Sequence, residues 1–135
     1  MSRKIGSDPV RSGAAIIEFA ICLPIFFLIA IGTVETCRMI YLRQSLKIAA
    51  YECARVAIVP GSKDSDVVNQ GNAILIGRRL KDFTLETTPS SVSHLKYGDL
   101  FKVEISIPAE PNALVGAWFY KNRTIHESVT IMAEY

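Results

Sequence analysis

The sequence predicts an α+β protein: one long N-terminal helix, apolar in its first half and amphipathic in its second, packed on a short helix and a small antiparallel sheet. Three observations predict it. No charged residue occurs in residues 19–34, and residues 14–17 extend the apolar stretch to about the twenty residues a transmembrane helix requires. Over residues 33–59, Met39, Leu42, Leu46, Ala49, Cys53 and Val56 or Ala57 recur at steps of three and four, with Arg38, Arg43, Lys47, Glu52 and Arg55 largely off that stripe. Downstream, LFKVEISIP alternates strictly, with Phe101, Val103, Ile105 and Ile107 on one face and Lys102, Glu104 and Ser106 on the other.

No glycine, proline or turn cluster interrupts residues 33–59, so the apolar and amphipathic patterns read as one continuous helix from about Ala14 to Ile58. Pro24 lies inside it and is expected to bend or loosen the apolar half, where neighbouring groups can satisfy the carbonyl it frees. Pro60-Gly61 ends the helix. The polar residues 62–65 then cap a second helix beginning near Asp66, VVNQGNAILIGRRLKDF, in which Gly71 and Gly77 each cost about 1 kcal/mol relative to alanine. FTLET, LFKVEISIP and TIHESVTIMAEY follow as strands, the last with Ile125, Val129, Ile131 and Ala133 inward. A sheet this small cannot hide its own apolar face, and the amphipathic half of the long helix is the expected cover. The domain plan is therefore residues 1–13 as a leader, 14–35 as a membrane-spanning helix, 36–60 as its amphipathic continuation, and 61–135 as an α+β domain.

The chain has 135 residues, half of them hydrophobic, and a formal net charge of +2. Arg3, Lys4 and Arg11 against Asp8 place all of that surplus in the first 13 residues. A neutral remainder lacks the basic stripe a nucleic-acid surface needs, so no nucleic-acid partner is expected. Cys22, Cys37 and Cys53 are spaced along one helix, with neighbours about 22 to 24 Å apart at 1.5 Å rise per residue. That is too far for a bridge within the chain. They read as small apolar packing residues or as partners for a second chain, and their spacing suits no metal.

Catalytic readings find little support. Ser93-His94-Leu95-Lys96 spells S-x-x-K, but the companion K-T-G is missing and the segment runs into the turn Tyr97-Gly98-Asp99. His94 and His126 fall on separate elements without a ligand pattern, and no glycine-rich phosphate loop occurs. No cofactor or metal is expected, and the chain reads as a substrate of processing rather than an enzyme.

The residue that demands an account is Glu18 in RSGAAIIEFAICLPIFF. A carboxylate within a span costs about 2.5 to 3.5 kcal/mol on insertion scales. A signal peptide cleaved after Ala30-Ile31-Gly32 would cut an unbroken helix, and a plain signal anchor would leave Glu18 merely facing headgroups. RSG followed by AAIIEF, the Leu-Pro within the span, and VETCRMIYLRQSLKIAAYECARVAI together resemble the TadE-like minor pilins (pseudopilins) of tight-adherence systems, within the broader type IV pilin class. The second segment carries the likeness through Glu35, Arg38, Tyr41, Arg43, Gln44, Leu46, Ala49, Ala50, Glu52, Ala54 and Arg55. About the first sixty residues carry the resemblance; beyond them it is architectural only.

The resemblance implies a short cytoplasmic leader removed between Gly13 and Ala14 by a prepilin peptidase, with Glu18 and Phe19 serving processing and subunit assembly. The new α-amine at Ala14 is largely protonated near neutral pH, and Glu18 of an adjacent subunit would neutralise it. The pair would set register while packing supplies affinity, since a buried ion pair is weak evidence of net stability. The resemblance further implies an inner-membrane protein with its N-terminus cytoplasmic and its C-terminal domain periplasmic. Its implied partners are major and minor pilin subunits, a secretion ATPase and an inner-membrane platform. The alternative from another class is a signal-anchored extracytoplasmic binding module outside any pilus. Two further features stay open between partner contact and the chain's own core: the small-residue ridge Ala49, Cys53 and Ala57, and the apolar segment ALVGAWFY, in which Trp118 and Phe119 form a candidate contact loop or fold back on the sheet edge.

Overall fold

The computed structural model describes residues 9–93, 95–116 and 120–134, with side chains from residue 13 onward. Its elements are α1 (Pro9–Ala57), α2 (Asp64–Gly77), β1 (Thr84–Thr88), β2 (Leu100–Pro108), a short 3-10 turn (Glu110–Asn112) and β3 (Thr124–Met132). This is the expected α+β layout. The chain divides into two compact units, Met1–Val34 and Glu35–Tyr135, and α1 contributes to both.

In the first unit α1 is already helical at Pro9, earlier than the expected start at Ala14, and it continues through Pro24. A proline near a helix start is tolerated because the first N–H groups have no intrahelical acceptor in any case. Ile16, Ile17, Phe19, Ile21 and residues 25–29 all lie exposed. An 18-residue window of this helix has a mean hydropathy of 2.6 and none of it is buried, so α1 is long and apolar enough to cross a membrane.

The second unit holds the core. Met39, Leu42, Leu46, Ala49, Cys53 and Ala57 are buried, as the three-and-four stripe requires, and they join Val67, Leu75, Phe101, Val103, Ile105 and Ile107 in one cluster. The sheet order is β1-β2-β3, all antiparallel. Its register pairs Leu85 with Ile105, Val103 with Val129, Phe101 with Ile131 and Ile107 with Ile125, which brings the apolar sets of all three strands to one face. β2, in the middle, has its four inward side chains fully buried.

α2 differs from expectation at its C-terminus. It stops at Gly77 rather than running toward Phe83, because Arg79 adopts a left-handed conformation (φ 59°). The Arg79 N–H donates to the Ile76 carbonyl (2.8 Å) and the Leu80 N–H to the Leu75 carbonyl (3.1 Å). That 5→2 and 6→1 pair is a Schellman termination, with buried Leu80 sealing it. At the other end the Lys63 N–H donates to Asp66 Oδ2 (3.0 Å), and Asp64 accepts from the Val92 N–H (2.6 Å) and the Ser91 hydroxyl (3.0 Å), tying the β1–β2 connection to the first turn. α2 lies close to α1 at Gly71: a Cβ there would stand 2.9 Å from Cys53 Sγ and 2.5 Å from Leu85 Cδ1. Gly71 is thus a close-approach glycine, not only a propensity cost.

Candidate functional site

In the first unit, Gly13, Ala14, Glu18 and Phe19 follow one another on the exposed N-terminal part of α1. A Cβ at Gly13 would meet nothing within 4 Å, so no packing among the described residues calls for glycine there. Phe19 is 63% exposed. Glu18 is exposed and, among the described residues, makes no hydrogen bond or ion pair. On this helix its carboxylate stands among apolar side chains, with nothing among the described residues to balance it.

The second unit buries a carboxylate to which the sequence pattern assigns no role. Glu35 is 1% exposed. Its Oε2 accepts from two consecutive backbone amides, Leu114 N–H and Val115 N–H, each at 3.2 Å. Its Oε1 is buried without a hydrogen-bond partner among the described residues. One turn on, Arg38 Nε donates to the Asn112 carbonyl (2.9 Å), and its guanidinium lies 5.2 Å from the centre of the Tyr41 ring. Asn112, 3% exposed, is the hub of this corner. Its Oδ1 accepts from the Lys81 N–H (2.9 Å) and its Nδ2 donates to the carbonyls of Lys81 and Pro108 (3.0 Å each). The segment after β2 is thereby fastened to α1 and to the α2–β1 connection by buried polar contacts.

Beside this corner is a cavity of about 270 Å³ lined by Met39, Ile40, Arg43, Tyr120, Arg123 and Ile125 among others. The Arg43 and Arg123 guanidinium groups make no ion pair or side-chain hydrogen bond among the described residues.

The small residues Ala49, Cys53 and Ala57 are each fully buried in the second unit. The Cys53 thiol donates to the Val67 carbonyl at 3.4 Å, and burial, reinforced by the Glu52 charge, pushes it up to about 11. Cys22 and Cys37 are exposed and free. Trp118 and Phe119 lie outside the described residues, as does His94; the neighbouring Leu114 and Val115 are 63% and 53% exposed. Ser93, the serine of the S-x-x-K spelling, sits in a turn against Ser91 Oγ (2.6 Å), not at a helix start.

The described residues thus comprise an exposed apolar helix and a compact α+β unit. The family model described as TadE-like protein matches residues 13–55, the stretch from the glycine at the head of the apolar run to Arg55. This segment of the chain is TadE-like, and together with the apolar helix it fits a pilin-like membrane protein. No curated protein and no solved structure matches the chain.

Proposed function

We propose that the chain is a TadE-like minor pilin, or pseudopilin: a single-pass membrane prepilin cleaved after Gly13 that takes part in assembling an adhesive pilus or a related secretion apparatus. The observation that carries this reading is Glu18, a carboxylate without a partner among the described residues, five residues past Gly13 on an exposed apolar helix and inside the segment that matches the TadE-like model. Isolated in lipid it is a liability. Opposite the α-amine that cleavage would create on a neighbouring subunit, it is half of a charge pair, and Phe19 beside it belongs to the same processing and assembly surface.

In this reading the N-terminus is cytoplasmic and the C-terminal unit periplasmic. The protein waits in the inner membrane, passes through a prepilin peptidase, and joins major and minor pilin subunits with the help of a secretion ATPase and an inner-membrane platform. Its role is structural. Charge counts alone do not orient the span, since Arg38, Arg43 and Lys47 follow it about as densely as Arg3, Lys4 and Arg11 precede it; the orientation rests on the family likeness.

Glu18→Ala separates the pilin role from simple anchoring. Membrane retention should be unchanged, because removing a carboxylate favours the lipid, while recovery with the other pilin subunits and surface fibre formation should drop sharply. A variant that assembles as well as the parent would remove Glu18 from the assembly surface.

A further inference from the structure

We propose that the free edge of β3 is a docking site for an extended strand of another polypeptide chain, one that carries a carboxylate side chain opposite Ile125 and an apolar side chain opposite Val129. The inference uses the second unit alone and goes beyond the pilin reading without depending on it.

The sheet order leaves β3 at an edge. The Ala109 N–H donates to the Arg123 carbonyl (2.9 Å) and the Ala133 N–H to the Asp99 carbonyl (2.8 Å), so in this register the odd-numbered residues of β3 turn their backbone groups toward β2. Thr124, His126, Ser128, Thr130 and Met132 turn theirs outward, where no backbone group among the described residues receives them. A second extended backbone offers donors and acceptors in that same alternation. Long edges are commonly blunted by proline, lysine or a bulge. β3 has neither proline nor lysine, and its register with β2 runs from Thr124 to Met132 without a break.

The wall beside this edge selects what the strand carries. On the helix face of the sheet, Val129 shares an apolar groove of about 400 Å³ with Lys47, Ile48, Tyr51 and Glu52, and Ile48 and Tyr51 are exposed. Ile125 shares the cavity of about 270 Å³ with Ile40, Arg43 and Arg123. From Ile125 to Val129 is about 13 Å at 3.3 Å per residue of strand, and from Ile40 to Ile48 is about 12 Å at 1.5 Å per residue of helix. The two recesses therefore accept side chains at positions i and i+4 of an added strand, which lie on one face of it. The first holds two guanidinium groups that no acidic side chain meets among the described residues, and so selects a carboxylate. The second selects a side chain such as leucine. A second copy of β3 does not supply this pattern: laid antiparallel in full overlap, with Ser128 opposite Ser128, it brings Ile131 and not an acid to the level of Ile125.

The test uses the full chain in detergent micelles and a fluorescein-labelled peptide, Thr-Val-Thr-Leu-Thr-Thr-Thr-Glu-Thr, which in full antiparallel pairing sets its leucine opposite Val129 and its glutamate opposite Ile125. Fluorescence anisotropy should show saturable binding, and the peptide with lysine in place of glutamate should bind roughly tenfold or more weakly. Amide exchange followed by NMR locates the contact. On adding the peptide, the N–H groups of His126, Ser128 and Thr130 should gain protection, while those of Glu127 and Val129, already turned to β2, stay as they were. Ser128→Pro removes an outward N–H and spares the β2 ladder, so it should abolish binding with cooperative thermal unfolding retained. Should that variant fail to fold, Arg43→Glu, at an exposed helix position, carries the test: it should weaken the glutamate peptide and improve binding of the lysine peptide. No saturable binding overturns the proposal, as does binding that leaves those three outward amides unprotected, or equal affinity for the two peptides. Outward amides protected before any peptide is added, together with a dimeric mass, would give the edge to a second copy and overturn it as well.

Discussion

Polar residues in the second unit do structural work that the helical phase announces and the sequence neighbourhood hides. Stepping back by four from Met39 lands on Glu35, and stepping by three from Leu42 lands on Ser45; both are buried. Their burial was legible in the stripe. Their partners were not: Glu35 reaches amides 79 and 80 residues away, and Asn112 reaches Lys81 across 31. Asn112→Ala removes all three side-chain hydrogen bonds and leaves the Lys81 and Pro108 groups without them, so it should cost about 2–4 kcal/mol in urea unfolding of the full chain in micelles. Cys53 supplies a pH test. Its thiol rises from 9.0 to about 11 in the fold, so the folded state binds that proton more tightly than the unfolded chain. The corresponding stability is complete below pH 9 and is lost as pH rises from there toward about 11. Over that window the parent should lose stability more steeply than Cys53→Ala, and parallel slopes would contradict the account.

At the scale of elements, alternation and turn chemistry placed the strands closely. LFKVEISIP is β2 residue for residue, FTLET covers β1 except Thr88, and TIHESVTIMAEY contains β3. Period-2 patterns survive because one buried face punishes any slip in register. The end of α2 was misread because its termination uses Arg79, which has no left-handed preference of its own, while the glycine that invites a stop, Gly77, stays helical. Gly71 and Gly77 looked alike in sequence and differ in the fold. A Cβ at 77 meets nothing, whereas one at 71 displaces Leu85 and presses on Cys53 Sγ, which cannot yield without giving up its contact with Val67. Gly77→Ala should therefore stabilise by up to about 1 kcal/mol from helix propensity. Gly71→Ala should lose about 1 kcal/mol net, overpacking outweighing the same gain. Thermal unfolding of the two variants beside the parent checks the opposite signs.

For the molecule as a whole, the decisive pattern is a change of environment along one helix. From Gly13 to Val34 most residues of α1 stand exposed and, Glu18 apart, none is charged, while those from Glu35 onward alternate between the core and solvent at helical spacing. That division was readable from charge placement and periodicity alone. The role of the N-terminal segment was legible only through its likeness to TadE-like proteins, because among the described residues nothing partners Glu18 or requires Gly13. The explanation proposed for both lies in what is cut away and in a neighbouring subunit. The most direct measurement is N-terminal sequencing of the membrane-resident protein from cells with an active prepilin peptidase. The account predicts a chain beginning at Ala14. A mature protein that retains residues 1–13, or one that begins at Thr33, would contradict it.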